Sequence, residues 1–562
     1  MAVNNHLNFF FLLLSLHAIA TSAQSGFVSI DCGSSSKKYT DENGITWVSD
    51  DSYIYTGENK VAQTPNSVSK VMSTLRVFST RKKNCYSIHF TKGTHVLVRA
   101  SFYYGNYDQK STPPSFNIQL DGNDAGDVDT SSTDLVTYEI IYAVRSDTIN
   151  LCLAQTQPNQ LPFISALEVR TLESTMYPNV DLSNYALLLE ERTAFGATNS
   201  TRYPVDQYDR IWVVGEAGTG ISAVSSTAPA INTSGIYDNP PSIVLQNAVT
   251  DTDTTSTAIT LSPTIPTGEE VSVYINYYFS EVAVTTQQRS FTVDVDDIVQ
   301  SDTIIPSYGG TTELSFYNFT ATSNTKFSLE STFDSTLPPL INAWEVFFVS
   351  DPLTTGTNSA DVKQLGLLQT QFPVLAGWTG DPCLPSPYTW DWVNCSSDAT
   401  PRITALYLNG YGLSGTIPDL SSLDDLQIID MHNNSLTGDI PASLGKLSYL
   451  QELNLADNDL SGTVPTSLSN NNKLQFDVSG NRKLCATDSK SCQRSVPSSS
   501  GGTPSDVSTT PSTSSSNKSS SKLPIILGIT IPAFIIFIAI VAFLAITYQK
   551  RRAATCVTMN AG

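Results

Sequence analysis

Positive charge is scarce in this chain. Its 31 Lys and Arg stand against 52 Asp and Glu, a formal net charge of −21 at pH 7. Nucleic-acid phosphates require a basic surface, so that class of partner is excluded. The acidity reads as a solubility feature of a secreted surface. Histidine is equally thin: beyond the first 23 residues only His89, His95 and His432 remain. Without a His or Cys cluster at ligand spacing, neither a zinc site nor any other metal or cofactor is expected. Kinase signatures are missing as well, with no Gly-rich phosphate loop, V-A-I-K, H-R-D or D-F-G. Carboxylates are plentiful, but nothing in their spacing singles out a glycosidase pair, and no catalytic residue is assigned. The run Asp121-Gly122-Asn123-Asp124-Ala125-Gly126-Asp127 hints at a calcium loop, yet Ser132 stands where a bidentate Glu is required. It reads better as a turn between strands.

Long apolar runs occur in two places. Phe9 to Ala20 is followed by the small residues Thr21-Ser22-Ala23, which predicts a signal peptide over 1–23. Leu523 to Tyr548 is a 26-residue stretch without a charged side chain, followed by Lys550, Arg551 and Arg552. That predicts a membrane helix over 523–548, with the basic cluster on the cytoplasmic side and a tail over 549–562. The expected location is the plasma membrane, single-pass, with the N-terminus extracellular. A tail this short leaves no room for a kinase, and Cys556 within it reads as a free thiol or a palmitoylation site.

Between these runs the chain is rich in β-branched and aromatic residues. VLVRASFYY (96–104), SFNIQL (115–120), VSVYINYYF (271–279) and SFTVDV (290–295) read as strands. They also align pairwise at an offset of 175 residues, and PFISALEV (162–169) meets PLINAWEV (339–346) at 177. The repeat predicts two similar β-sandwich lobes, 27–172 and 189–349, within a domain over 27–350, rather than one continuous sheet. A second repeat runs Leu426, Ile429, Met431, Asn434, Leu436, Pro441 and again Leu450, Leu453, Leu455, Asn458, Leu460, Pro465. An earlier copy has Tyr411 in place of the Asn, and 474–484 resembles a degenerate fourth. These steps predict leucine-rich repeats over 401–484, the Asn amides capping backbone groups between turns. A linker and N-terminal cap fall at 351–400, and a C-terminal cap and Ser/Thr/Pro-rich stalk at 485–522.

Seven cysteines precede the predicted span. Cys383 with Cys395 and Cys485 with Cys492 form local pairs beside the repeat edges; of Cys32, Cys85 and Cys152 at least one stays unpaired, and Cys85 with Cys152 is favoured. Sequons for N-glycosylation stand at Asn199, Asn232, Asn318, Asn394, Asn433 and Asn517.

FVSIDCGS (27–34), RVFSTRKKNCY (76–86), VRASFYYGNYD (98–108), PFISALEVR (162–170) and RYPVDQYDRIW (202–212), with GWTGDPCLP (377–385) and TWDWVNC (389–395), resemble the malectin-like ectodomain of plant leucine-rich repeat receptor kinases. The resemblance implies a mostly β fold of two tandem malectin-like β-sandwich lobes, a short leucine-rich repeat solenoid and a single transmembrane helix, in a kinase-less receptor-like form. It implies recognition of an extracellular glycan or peptide ligand, with signalling through a receptor kinase co-receptor engaged by the ectodomain. The other reading is a structural tether to cell-wall glycan. Malectin-type domains resemble carbohydrate-binding modules, and Tyr103, Tyr104, Asn106, Tyr107 and Asp108 form the aromatic and acidic cluster such a site needs; the same tyrosines could instead pack the rim of the sandwich. The segment Gly377 to Cys383 reads as the cap that buries Trp378, Trp390 or Trp392. Tyr407, Asn409, Asp430, His432, Asn454 and Ala456 are expected to form an exposed concave face for a partner.

Overall fold

The computed structural model describes residues 26–64, 69–215, 220–253 and 257–485. The predicted signal peptide, Cys492, the stalk with Asn517, the run 523–548 and the tail with Cys556 lie outside the described residues; among the described residues no helix is long and apolar enough to cross a membrane.

Successive side chains of a strand point to opposite faces, so a strand covered on both sides buries nearly every residue. His95–Phe102 is such a strand. Val96, Val98, Ala100 and Phe102 enter the core of the first lobe, whereas Leu97 and Arg99 face the other way and are also buried. Val271–Phe279 repeats the pattern, with Val273, Ile275, Tyr277 and Phe279 in the core of the second lobe. Each lobe is a sandwich. In the first, a sheet containing Phe27–Asp31, Ala166–Thr171, His95–Phe102 and Val136–Ala143 packs on a sheet of Lys83–His89, Thr148–Ala154, Ser115–Leu120 and Asn123–Asp129. The second lobe matches it strand for strand. Phe116 lies 5.5 Å from Phe102 and Phe291 lies 5.2 Å from Phe279, the same pair in both copies.

The expectation that two lobes exclude a continuous sheet is corrected. One 11-stranded sheet runs through both. Val136–Ala143, the last strand of the first lobe's half, offers an open edge, and Leu187–Phe195, the first strand of the second, takes it through Ile140↔Leu188 and Ile141↔Leu187. The second lobe's half continues through Ala343–Val349 and Val271–Phe279 to the outermost strand, Thr312–Ala321.

Parallel strands Ile403–Tyr407, Ile428–Asp430, Glu452–Asn454 and Gln475–Asp477 build the solenoid, aligned as Leu406, Ile429, Leu453 and Phe476. Asn434, Asn458 and Asn481 stitch the coils. Asn458 Nδ2 donates to Met431 O of the preceding coil at 3.0 Å, and its Oδ1 accepts from Leu436 N at 2.9 Å. The helix Ser359–Gln371 starts where the Asn358 side chain accepts from Ala360 N at 3.0 Å. It buries Leu365 and Leu368 against the first coil. Its fully buried Asp361 pairs with Arg402 at 3.0 Å and accepts from Ile403 N at 2.8 Å. Trp378, Trp390 and Trp392 close this end of the core.

Candidate functional site

The predicted sugar cluster turns inward. Tyr103 and Tyr104, expected to offer stacking faces, are 4% and 1% exposed, so they pack the sandwich, and that expectation is corrected. Asn106, in the left-handed region at φ 50°, turns the chain back over them. Tyr107 is half-buried, its ring 5.5 Å from Tyr104 and 5.6 Å from Phe163. The Tyr104 hydroxyl donates to Asp108 Oδ1 at 2.5 Å, and burial, reinforced by that carboxylate, pushes it up to about 12. Asn106 Oδ1 accepts from Ser111 N at 2.9 Å. The Asp108 carboxylate and the Asn106 carbonyl are thus engaged within the loop itself.

A feature the strand patterns did not reveal crosses the outer face of the long sheet. Glu168, Arg99 and Glu139 stand in register on adjacent strands. Beyond the lobe boundary follow Arg192, Glu345, Asn276 and Ser315. Arg99 meets Glu139 at 2.8 Å, Glu139 meets Arg192 at 2.7 Å across the boundary, and Arg192 meets Glu345 at 2.6 Å. The first five of these side chains are at most 4% exposed. Tyr203 to Trp212 cover the row, and Asp209 sits between Arg170 at 2.8 Å and Arg202 at 2.9 Å. Burial would raise the Glu139 carboxyl, but Arg192 and Arg99 more than reverse it and hold it below the usual range. Asp209 is likewise held well below its ordinary value, against its burial, by Arg170, Arg99 and Arg202. The charges are paired, as buried charges must be, and they lock one lobe to the other.

The first lobe is joined to the repeats by two of the segments that stand out in the sequence. Gly380 packs its backbone against the Cys85–Cys152 disulfide, where a Cβ would lie 2.6 Å from Cys85 Sγ. Thr379 Oγ1 donates to Cys85 O at 2.8 Å. The ammonium of Lys83 is buried under the loop and donates to the carbonyls of Asp381, Leu384 and Tyr388 at 2.9, 2.5 and 3.2 Å. Burial pushes Lys83 down to about 8, with Asp381 pulling the other way. Arg81 lies 4.0 Å over the Trp378 ring and donates to Gly377 O at 2.6 Å. Trp378 packs with Trp390 and Trp392 in the core of the repeats, and the segment 377–383 that carries it also grips the neighbouring lobe.

Beside this junction opens a cleft of about 920 Å³. One wall is the first lobe, with Asp121, Arg145, Ser146 and Asn150; the other is Thr354–Thr357, Val362 and Gln369 of the cap helix, and Trp378 and Trp390. Asp121 Oδ1 accepts from Asn150 N at 2.7 Å and Oδ2 from Tyr142 OH at 2.7 Å, while burial raises its pKa. Hydroxyls, charges of both signs (Lys92 and Arg145, Asp121 and Asp381) and indole surface converge on a volume suited to a peptide or sugar of a few units.

On the concave face Tyr407 and Asn409 are exposed, and Asp430, His432 and Asn454 are half-buried and bonded together, His432 Nδ1 lying 2.6 Å from Asp430 Oδ1 and 3.2 Å from Asn454 Nδ2. Ala456 is buried, which corrects its place in that face: its methyl does not reach past the neighbouring side chains. Cys383 and Cys395 are disulfide-bonded and Cys32 is buried with a free thiol. Asn199, Asn232, Asn318, Asn394 and Asn433 are exposed.

Comparison with known proteins gives a consistent picture. The malectin-like domain family matches residues 30–349, and the leucine rich repeat matches 425–447 and 449–471. The Arabidopsis thaliana protein called probable LRR receptor-like serine/threonine-protein kinase At1g05700 is 35% identical over 435 residues, covering 75% of this chain and 49% of that protein. Uncharacterized protein At1g24485 of the same plant is 37% identical over 355 residues, covering 62% of this chain and 69% of that one. The chain thus spans about half the length of the receptor kinases it matches. Among solved structures, the ANX2 ectodomain from Arabidopsis thaliana superposes with a TM-score of 0.50 at 16% identity, covering 58% of this chain and 97% of that one, a likeness of fold.

Proposed function

The chain belongs to the malectin-like family of leucine-rich repeat receptors, and from that membership we propose that it is a cell-surface, receptor-like protein. It recognises an extracellular peptide or carbohydrate ligand and signals through a partner receptor kinase. In this division of labour the lobes at 27–172 and 189–349 and the cap at 351–400 hold the ligand, the repeats at 401–484 meet the partner, and 523–548 anchors the chain with its N-terminus outside. The observation that carries the reading is the amphiphilic cleft of about 920 Å³ at the junction of lobe and cap. Its walls come from two domains held at a fixed distance, so it presents a preformed site. The polar face around Tyr407, His432 and Asn454 supplies the partner surface.

The test is proximity labelling from the ectodomain of the full chain in plant cells. Cells are treated with cell-wall oligosaccharides or with a secreted-peptide fraction. Labelling of a receptor kinase that rises with one of these treatments and is lost when Trp378 and Arg145 are replaced supports the reading. Retention in the cell-wall fraction with no treatment-dependent kinase favours the tether.

A further inference from the structure

The two ends of the 11-stranded sheet are unlike. One is Lys38–Thr40, three residues that begin with a lysine, a short charged edge of the kind that resists pairing. The other is Thr312–Ala321, ten residues with Glu313 as their single charge and Leu314, Phe316, Tyr317 and Phe319 among them. A long, nearly uncharged strand of this composition with an open side is a template for another strand. The internal repeat makes the hazard specific. In the first lobe the equivalent strand, Val136–Ala143, uses that same edge to accept Leu187–Phe195 of the second lobe. Thr312–Ala321 presents the matching edge, and no described strand takes it.

Two sequons lie along that edge. Asn318-Phe319-Thr320 is in its middle. Phe319 pairs with Val273 and Phe316 with Ile275, so Tyr317 and Asn318 together oppose Tyr274 in a bulge, with Asn318 at φ 54° and exposed. Asn232-Thr233-Ser234 stands at the strand's beginning, where Asn232 N donates to Gly309 O at 2.9 Å and Asn232 O accepts from Thr311 Oγ1 at 2.9 Å. We propose that Asn318 carries an N-glycan whose role is to cover the open edge of the sheet, seconded by Asn232, and so to keep the ectodomain from extending its sheet into a second copy of itself. The bulge bends the strand and aims Asn318 outward, and the bulky, solvated sugar then excludes an incoming strand. This rests on the secretory route of the proposed function, because glycosylation occurs only there.

The test compares the full chain from glycosylating cells, solubilised in detergent, with Asn318→Gln and Thr320→Ala. The latter removes the sequon while keeping Asn318 in its left-handed bulge. Glycopeptide mass spectrometry reads occupancy, and light scattering reads mass. The expected result is an occupied Asn318 and a monomeric wild type, with at least a doubling of protein mass in both variants. Adding Tyr317→Lys to Thr320→Ala should restore the monomer, and an unchanged thermal midpoint shows that the lobe still folds. An empty Asn318 beside occupied Asn199 and Asn433 overturns this inference alone, as does a Thr320→Ala protein that stays monomeric. If every sequon is empty, the secretory reading falls with it.

Discussion

Replacing Glu139 by Gln removes one charge from the middle of the buried row and keeps its shape. Glu139 faces Arg99 at 2.8 Å and Arg192 at 2.7 Å, one in each lobe. Removing one member of a buried ion pair costs about 3–5 kcal/mol, because the partner stays buried without its counter-charge. Here Arg192 keeps Glu345 at 2.6 Å and Arg99 keeps Glu168 at 3.4 Å, which puts the loss at the low end, about 3 kcal/mol. At roughly 2–4 °C per kcal/mol for large domains, the midpoint should fall by about 6–12 °C. The pH dependence has a definite sign. Arg192 and Arg99 lower the folded pKa of Glu139, so its contribution is complete above the unfolded value of about 4.3 and is lost as pH falls through the folded value. Scanning calorimetry of the full chain in detergent should show wild type and Glu139→Gln well apart at pH 7 and converging in acid. Arg192→Met should be costly by itself, since it also strands Glu345, and the double variant should lose less than the sum of the two single changes, a coupling of at least about 1 kcal/mol. A Glu139→Gln protein within about 0.5 kcal/mol of wild type at pH 7, the scatter of ordinary surface substitutions, would refute the view that this row joins the lobes.

The other expectations follow from single contacts. Gly380→Ala places a Cβ 2.6 Å from Cys85 Sγ at a residue of φ +77°, so the junction should lose at least about 2 kcal/mol; limited proteolysis should then separate lobes from repeats, and an unchanged cleavage pattern would contradict it. Asn458→Ala leaves Leu436 N without its side-chain acceptor, while Met431 O keeps the Asn434 amide at 2.9 Å, and should lower repeat stability by about 1–3 kcal/mol in chemical denaturation. Tyr107→Ala should cost about 2–3 kcal/mol through lost ring packing and leave glycan-array binding unchanged, whereas selective loss of binding would restore the sugar site. Burial, then Glu191, raises the partly exposed Glu190 to about 7; its folded pKa exceeds the unfolded value, so its contribution is present in acid and lost as pH rises from about 4.3 through 7, and Glu190→Gln should flatten that slope of thermal midpoint against pH.

The strands, the duplication and the Leu–Asn periodicity were readable because each is local: alternating apolar residues, a constant offset, a fixed step. The charged row was half visible. Glu168 and Glu345 are the same residue in the two aligned copies, ALEV and AWEV, flanked by apolar neighbours. What hides its meaning is that strand charge ordinarily marks a solvated face, and here the covering segment, 203–212, lies far along the chain. The continuous sheet was not readable, since whether an edge is taken depends on how two lobes dock. The tyrosines past Phe102 were ambiguous for a smaller reason: left-handed residues at Gly105, Asn106, Gln109 and Ser111 set which way the loop rolls.

Two sequence signatures that read as separate landmarks prove to be halves of one joint. RVFSTRKKNCY supplies Arg81, Lys83 and Cys85, and GWTGDPCLP supplies the carbonyls and the glycine that meet them. A lysine that gives all three of its donors to one loop, over a disulfide that admits only glycine, leaves no hinge between lobe and cap. A ligand entering the adjacent cleft therefore meets walls at a fixed separation. It can act in two ways: by adding its own surface to one already formed, or by breaking the Lys83 contacts outright. The first requires no change of shape in the chain, and a partner would then read ligand, cap and first coil as one composite face. Since a ligand shifts a conformational equilibrium only by its differential affinity for the two states, and the open state here must expose a buried ammonium, the composite face is the mode this joint favours.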